Sequence, residues 1–370
     1  MKWKFFSCFL LIAILFSPIH VSRSDISGTV LAPAADGSNA GEQSAWEQIN
    51  QEIARPAGWR QIVIDSAFQI GDSIHTTDAK GKPVTIRRYG TYPSLDGSTV
   101  AVPMAMEFAR QHLSLSEADL ESFIFFTTTH SAYQKLIYQK PNITPKIPSE
   151  KTVMDAEHPV DLIIVTAPSD EELALADEYG MRFVMEPVCL DAFVFITHKD
   201  NPVESLTVDQ IRKIYSGEIT NWTEVGGEDR RIAAYQREKN SGSQTAMENL
   251  VMQGAPLADP PKGYASVGMG TLVEVVANYQ TSQTSLGYTY KYYIDTLYRN
   301  DNIKVLHVEG IEPSPKNLRS GAYPFTTAYY AVIRGGERSE VAGRFLSWML
   351  SSEGQQVIEQ AGYIPVLDIR

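Results

Sequence analysis

Arg237 is followed four residues later by Ser241-Gly242-Ser243, a spacing of cation, hydroxyls and glycine suited to holding an anion. The guanidinium presents a planar fork of donors that matches two oxygens at once. Gly242 lacks a Cβ, so the backbone there can approach a ligand closely. The residues from Ser243 to Met252 read as a helix, and the first N–H groups of a helix have no internal acceptor and lie at the positive end of its dipole. Together these groups make a site for a carboxylate or a tetrahedral oxyanion. The alternative for the same residues is an ordinary serine N-cap with a solvated arginine nearby.

Two other loops repeat the pattern. Asp96-Gly97-Ser98-Thr99-Val100 precedes a helical stretch near Met104, and Thr127-Thr128-Thr129-His130-Ser131 lies between a β-like run and a helix. Each alone reads equally well as a polar helix cap. Three hydroxyl-rich strand-to-helix junctions in one chain say more, because such junctions line one edge of an α/β sheet. The seven histidines show no HExxH or other paired metal spacing, and there is no G-x-S-x-G elbow, Walker A loop or G-x-G-x-x-G after a strand. No metal and no cofactor are expected. An arginine with serines stabilises an anion without attacking it, so a binding protein is expected and an exported hydrolase is the weakest of the alternatives.

The elements that must position these loops alternate. Strand candidates are Gln61–Ile64, Phe123–Phe126, Val160–Thr166, Phe193–Thr197, Arg231–Tyr235 and Ala328–Ile333, with helical patterns at Met104–His112, Tyr133–Gln139, Glu171–Tyr179, Val208–Tyr215, Ser243–Met252 and Ala342–Ala361. That alternation predicts an α/β fold with mainly parallel sheets. Pro141, Pro145 and Pro148 mark a loop that reads as an insertion. Two apolar extended runs, Asp191–His198 and Tyr323–Ile333, are candidates for crossings between domains. They would make the first domain discontinuous and leave a cleft between lobes, where ligand sites tend to form.

Length and charge bound the function. The chain has 370 residues and suits two domains. Its 32 basic and 44 acidic residues give −12, a poor balance for neutralising nucleic-acid phosphates. Lys2 and Lys4 precede an apolar run from Phe5 to Phe16 that Ser17-Pro18 ends, the pattern of a secretory signal peptide. Cleavage after Ser24 would remove three bases, Lys2, Lys4 and Arg23, and no acid, taking the charge from −12 to −15. It would also leave Cys189 as the single thiol, read here as a small buried hydrophobe. Residues 25–45, rich in Gly, Ala and Ser, read as a flexible linker.

Several stretches resemble one family. Tyr215–Gly227 (YSGEITNWTEVGG), Asn240–Met247 (NSGSQTAM), Leu286–Tyr290 (LGYTY) and the tail from Phe345 to Pro365 are similar to phosphate-binding proteins of ABC-type uptake systems. The resemblance covers roughly residues 88 to 367. It implies a two-lobed periplasmic-binding-protein type II fold with two hinge crossings. The lobes would be 46–195 with 326–370, and 196–325, and closure would be a hinge motion. It also implies that Arg237, Ser241 and Gly242 contact the ligand, with Ser243 standing where the family has threonine. Thr99, with Ser98 beside it, matches an N-terminal contact, and Thr129 and His130 fall in the next contacting loop. The family's carboxylate position corresponds to Thr166 within Val165-Thr166-Ala167-Pro168, and Asp96 could compensate from the facing loop.

The expectation is therefore an exported, monomeric protein of the periplasm or extracytoplasmic surface. It would capture phosphate or a similar oxyanion and pass it to a membrane ABC transporter permease, with no nucleic-acid partner. A surface sensor or receptor on the same fold, with a changed ligand, is the alternative.

Overall fold

Phe183–His198 is sixteen residues of mostly Val, Phe, Ile and other apolar types, and it forms one strand almost wholly buried along its second half. Residues of this kind favour a pleated, covered surface. In the computed structural model, the described residues are 73–77, 83–87 and 92–367, apart from gaps at 114–116, 118–119, 121–122, 141–158, 261–267, 279–283 and 336–338. The expected signal segment, linker, Gln61–Ile64 strand and Pro141–Pro148 loop lie outside the described residues.

The strands in chain order are β1 (Ser73–Thr77), β2 (Pro83–Arg87), β3 (Leu95–Gly97), β4 (Leu162–Val165), β5 (Phe183–His198) and β6 (Ser205–Leu206). They continue with β7 (Ala233–Ala234), β8 (Ser285–Tyr290), β9 (Ile303–Val305), β10 (His307–Val308), β11 (Thr326–Arg334) and β12 (Ile364–Pro365). The helices are α1 (Val102–His112), α2 (Thr129–Tyr138), α3 (Asp170–Glu178), α4 (Val208–Ser216) and α5 (Gly242–Ala246, prolonged by a wider-wound stretch, Met247–Met252). After them come α6 (Met269–Ala277), α7 (Pro315–Arg319), α8 (Glu340–Met349) and α9 (Ser352–Gln360).

The main sheet runs β3-β4-β11-β5-β8-β7, with β9 and β12 also bonded to β5, while β1 pairs β2 and β6 pairs β10 separately. β5 belongs to both halves of this sheet. From Phe183 to Ala192 it pairs antiparallel with β11, and from Phe193 to Thr197 it pairs antiparallel with β8. The expectation of mainly parallel sheets is therefore corrected. Among the described residues, parallel pairing is confined to β3 with β4, β7 with β8 and β6 with β10. The central partners are the two long crossing strands, which run in opposite directions, so their neighbours meet them antiparallel.

Local differences have local causes. Phe123 ends a helical turn and residues 124–128 form no strand, because Ile124 N–H bonds back to the Leu120 carbonyl and the Phe126 ring packs over Gly97. Of Arg231–Tyr235 only Ala233 and Ala234 join the main sheet, while Arg231 makes an isolated bridge to Asn221. The single helix expected over Ala342–Ala361 is two, broken where Ser351 caps α9 by accepting from Gly354 N–H at 3.2 Å. Elsewhere the caps follow sequence signals: Ser169 with Glu172 boxes the start of α3, and Thr207 with Gln210 boxes α4, which Gly217 ends at φ 84°.

Asp191 sits where β5 changes partners. Fully buried, it accepts hydrogen bonds from Ala192 N–H (2.7 Å), Tyr292 N–H (3.1 Å) and the Tyr329 hydroxyl (3.2 Å). Those contacts join both crossing strands to the segment after β8. Burial pushes its carboxyl from 3.8 up to about 7, against the opposing pull of the hydrogen bonds. A raised carboxyl pKa means that the folded state binds the proton more tightly, so this group's contribution to stability falls as pH rises from about 4 through about 7. Asn at this position keeps the acceptor for both N–H groups and carries no charge. Asp191→Asn is expected to melt above the parent at pH near 8, with the gap closing toward pH 5, as thermal unfolding at both pH values would show.

Candidate functional site

β3 and β4 run parallel with Gly97 opposite Ile164, so the loops that follow them, Ser98-Thr99 and Thr166-Ala167, leave the same edge of the sheet. Gly97 is required there because a Cβ would lie 2.2 Å from the Ile164 carbonyl oxygen. The third loop is fastened to this edge by Asp96, which is fully buried. Its Oδ1 accepts from Gly97 N–H (2.7 Å) and Thr127 N–H (2.8 Å), and its Oδ2 from the Thr127 hydroxyl (2.8 Å) and Lys135 Nζ (2.9 Å). Asp96 is thus a structural clasp, which corrects the idea that it compensates for a missing ligand carboxylate. With the loop held, Thr128 caps α2 by accepting from Ser131 N–H at 3.2 Å, and Thr129 becomes its first residue.

The facing wall comes from β7, β8 and α5. The turn after Tyr235 passes through Asn240 in the left-handed region at φ 63° and delivers Ser241 as N-cap of α5, its hydroxyl accepting from Gln244 N–H at 3.3 Å. Arg237 is fixed by its own backbone: its N–H reaches the Tyr288 hydroxyl oxygen at 3.0 Å and Gln244 Oε1 at 3.2 Å. The Tyr288 hydroxyl also donates to Gln244 Oε1, and the Tyr290 hydroxyl donates to the Gly242 carbonyl at 2.9 Å. Tyr288 and Tyr290, two apart on β8, share a face as strand alternation requires. Their part in holding Arg237 and Gly242 was not read from the sequence, although the LGYTY stretch carried the signal.

The two walls meet at Gly242. A Cβ there would lie 2.4 Å from Thr166 Oγ1 and 2.9 Å from Thr129 Oγ1. Thr129, Thr166 and Gly242 are therefore brought together. Arg237 is only 9% exposed, and its Nε and Nη1 have no hydrogen-bond partner. Ser243 Oγ is also buried without a partner, and the buried Thr166 Oγ1 has only the Tyr290 hydroxyl near enough to interact with it, in poor alignment. The acid closest to the guanidinium, Glu238, is 3.9 Å from Nη2 and is itself exposed. Burial draws the Arg237 pKa below its usual value, yet a guanidinium stays charged at any ordinary pH.

The other expected residues are placed differently. Ser98 is buried and its N–H bonds to the Ile164 carbonyl at 2.9 Å, while Thr99 is exposed at the same sheet edge. The His130 ring turns to α3, its Nδ1 2.8 Å from Glu172 Oε1 and its Nε2 3.0 Å from Gln134 Nε2. Bonding to Glu172 raises its pKa. What His130 leaves for a ligand is its main-chain N–H, in the first turn of α2. Lys239 Nζ lies 2.8 Å from Glu171 Oε2 on α3, an exposed tie between the two walls of the kind that contributes little alone. Among the described residues, no three His, Cys, Asp or Glu side chains gather to hold a metal ion.

Two sheet halves joined by long crossing strands, with a polar cluster where their loops meet, define the two-lobed periplasmic-binding-protein type II fold. Residues 128–353, well over half of the chain, match the PBP superfamily domain, and the chain belongs to that superfamily. It is 30% identical over 173 residues to the phosphate-binding protein PstS of Bacillus subtilis, covering 46% of this chain and 54% of that protein. Against the phosphate-binding protein PstS of Pseudomonas aeruginosa it is 27% identical over 222 residues, covering 53% and 65%. The chain thus spans about half to two thirds of these curated relatives. In fold it is similar to a Clostridium perfringens protein solved with bound phosphate, with a TM-score of 0.54 at 24% identity over 74% of this chain and 99% of that one. An ABC-type phosphate transport receptor from Vibrio cholerae gives a TM-score of 0.50 at 19% identity, covering 73% and 98%.

The contact at Gly242 can be tested on its own. In Gly242→Ala the new methyl meets Thr166 Oγ1 and Thr129 Oγ1, so the walls must part or the fold must strain. Overpacking of this kind costs about 1–3 kcal/mol. A loss of that size in urea unfolding is expected, and a variant as stable as the parent would show that the walls do not meet there.

Proposed function

We propose that this chain is an exported solute-binding protein that captures an inorganic oxyanion, phosphate first, between its two lobes and delivers it to a membrane ABC transporter. The observation that carries the reading is the Arg237 guanidinium, buried with Nε and Nη1 unpartnered and with the exposed Glu238 carboxylate 3.9 Å from Nη2. Leaving an ion unpaired in the interior costs several kcal/mol, and an anion arriving between Arg237, Ser243, Thr129 and Thr166 removes that cost. The first turn of α2 and the start of α5 add N–H donors to the same place.

Ser98 and Thr99 complete the proposed site from the adjoining loop, and Ser241 supports it through the cap of α5. We place the lobes at 46–195 with 326–370, and at 196–325, a division that the change of partners in β5 supports to within a few residues. The named relatives are phosphate-binding proteins, which supports phosphate as ligand and transport as context. No catalytic step is assigned, because an arginine and hydroxyls without a general base bind an anion and do not transform it. The protein works as a monomer, outside the cytoplasm, and needs no cofactor in this reading.

Arg237→Met tests it in two opposite directions. A hydrogen bond to a charged group is worth about 1.5–3 kcal/mol, so phosphate affinity by isothermal titration is expected to fall at least tenfold. Replacing an unpaired buried charge with an apolar side chain is also expected to raise the melting temperature of the ligand-free protein by a few degrees. Unchanged phosphate binding in the variant, or no phosphate binding by the parent, would refute the assignment.

A further inference from the structure

The buried groups at the meeting of the two walls are of two kinds. Arg237 Nε and Nη1 only donate. The hydroxyls of Ser243, Thr166 and Thr129 can each donate or accept, by rotating one proton. Among the described residues, the nearby groups of a third kind, which accept and cannot donate, are already engaged. The carbonyl of Thr166 already receives the Tyr133 hydroxyl at 2.8 Å, and the carbonyl of Gly242 receives the Tyr290 hydroxyl at 2.9 Å.

The carboxylates in the neighbourhood are engaged as well. Asp96 holds four hydrogen bonds within its own loops. Glu172 is taken by His130 and by Ser169 N–H, Glu171 by Lys239, and Glu248 by Gln244. Glu238 lies on the solvent side of Arg237.

Rejecting one of two ions of equal shape and charge needs a partner that is left unsatisfied by the wrong one. Hydrogen phosphate and sulfate are both tetrahedral dianions and differ by a single hydrogen. A fixed acceptor would welcome that hydrogen and repel the bare oxygen. A hydroxyl does neither, since it turns to accept from hydrogen phosphate or to donate to sulfate. Thr166 is the position where this is decided, because its Oγ1 is buried, engaged by nothing firmer than the neighbouring Tyr290 hydroxyl, and pressed against the Gly242 backbone between the walls.

We propose that this site does not read the proton of its ligand: it holds hydrogen phosphate and sulfate alike, with the Thr166 hydroxyl as the group that adapts. The inference rests on the oxyanion reading above and adds the ligand class, tetrahedral dianions irrespective of protonation.

The test is competition of sulfate against phosphate on the parent protein at about pH 8, where phosphate is chiefly the dianion. The two dissociation constants are expected to agree within about tenfold. A sulfate constant weaker by more than that overturns the inference while leaving the oxyanion reading in place. Failure of phosphate itself to bind overturns the oxyanion reading instead. Thr166→Asp introduces an acceptor that cannot donate, and sulfate is then expected to lose far more affinity than phosphate, opening the ratio beyond tenfold. A folded Thr166→Asp protein that keeps the parent ratio would show that Thr166 is not the deciding position. Thr166→Val, close in shape and lacking the hydroxyl, is expected to weaken both ions by similar factors, which guards against a Thr166→Asp variant that does not fold. Unequal losses in that variant would likewise count against the proposal.

Discussion

A buried guanidinium with two nitrogens that have no acceptor is the condition on which the rest of this molecule turns. Arg237 lies almost wholly inside the protein, and the one carboxylate near it faces water at 3.9 Å. Desolvation of such a charge works against folding, so its surroundings must hold it in place without neutralising it. They do so through the main chain. Tyr288 and Gln244 fix the Arg237 N–H, Tyr290 fixes the Gly242 carbonyl, and Nε and Nη1 of the side chain are left without an acceptor. The contrast with Asp96 is instructive. Both are buried charges within the same region of loops, but Asp96 is saturated by four donors and serves only architecture.

If the chain binds an anion as proposed, this arrangement is how an acidic protein would attract it. The sequence carries −12 overall, so its long-range field opposes the approach of a negative ligand. Attraction has to be short-ranged, supplied by one desolvated cation, oriented hydroxyls and helix-start N–H groups, all of which act within a few ångströms. Electrostatics of this kind is little changed by salt, since screening works on exposed charges over distances near a Debye length.

Much of this was legible from residue types. The Arg237 to Ser243 spacing marked a buried cation beside a helix start, and the three hydroxyl-rich junctions fell at helix starts, where Thr128 and Ser241 accept capping bonds and Ser98 does not. The crossings were visible as apolar runs at Asp191–His198 and Tyr323–Ile333, although β5 begins eight residues earlier at Phe183. What stayed hidden depends on contacts between distant segments. The direction of pairing across β5 cannot be read from its own composition, so parallel sheets were expected where the central pairs are antiparallel. Phe123–Phe126 has the residues of a strand and no strand to meet. The His130 ring turns from the loop to Glu172, forty-two residues on, and nothing local announces that preference. The tyrosines of β8 act through the backbone of residues some fifty positions away.

The order of strands has a consequence for how the chain acquires its shape. β11 is inserted between β4 and β5, and β12 is laid against β5 as well, so the middle of the sheet waits for residues beyond Thr326. Until those residues are available, β4 and β5 each present an unfilled edge to one another, and the half of the sheet built on β3, β4 and β11 is not a continuous piece of chain. Contacts of such long sequence separation form slowly, because loop closure must precede any gain from them. The half of the sheet that needs β11 therefore closes late in synthesis. A molecule built this way is open to being handled as a threadable strand before it becomes a rigid body, and holding factors that recognise exposed sheet edges have a long interval in which to act.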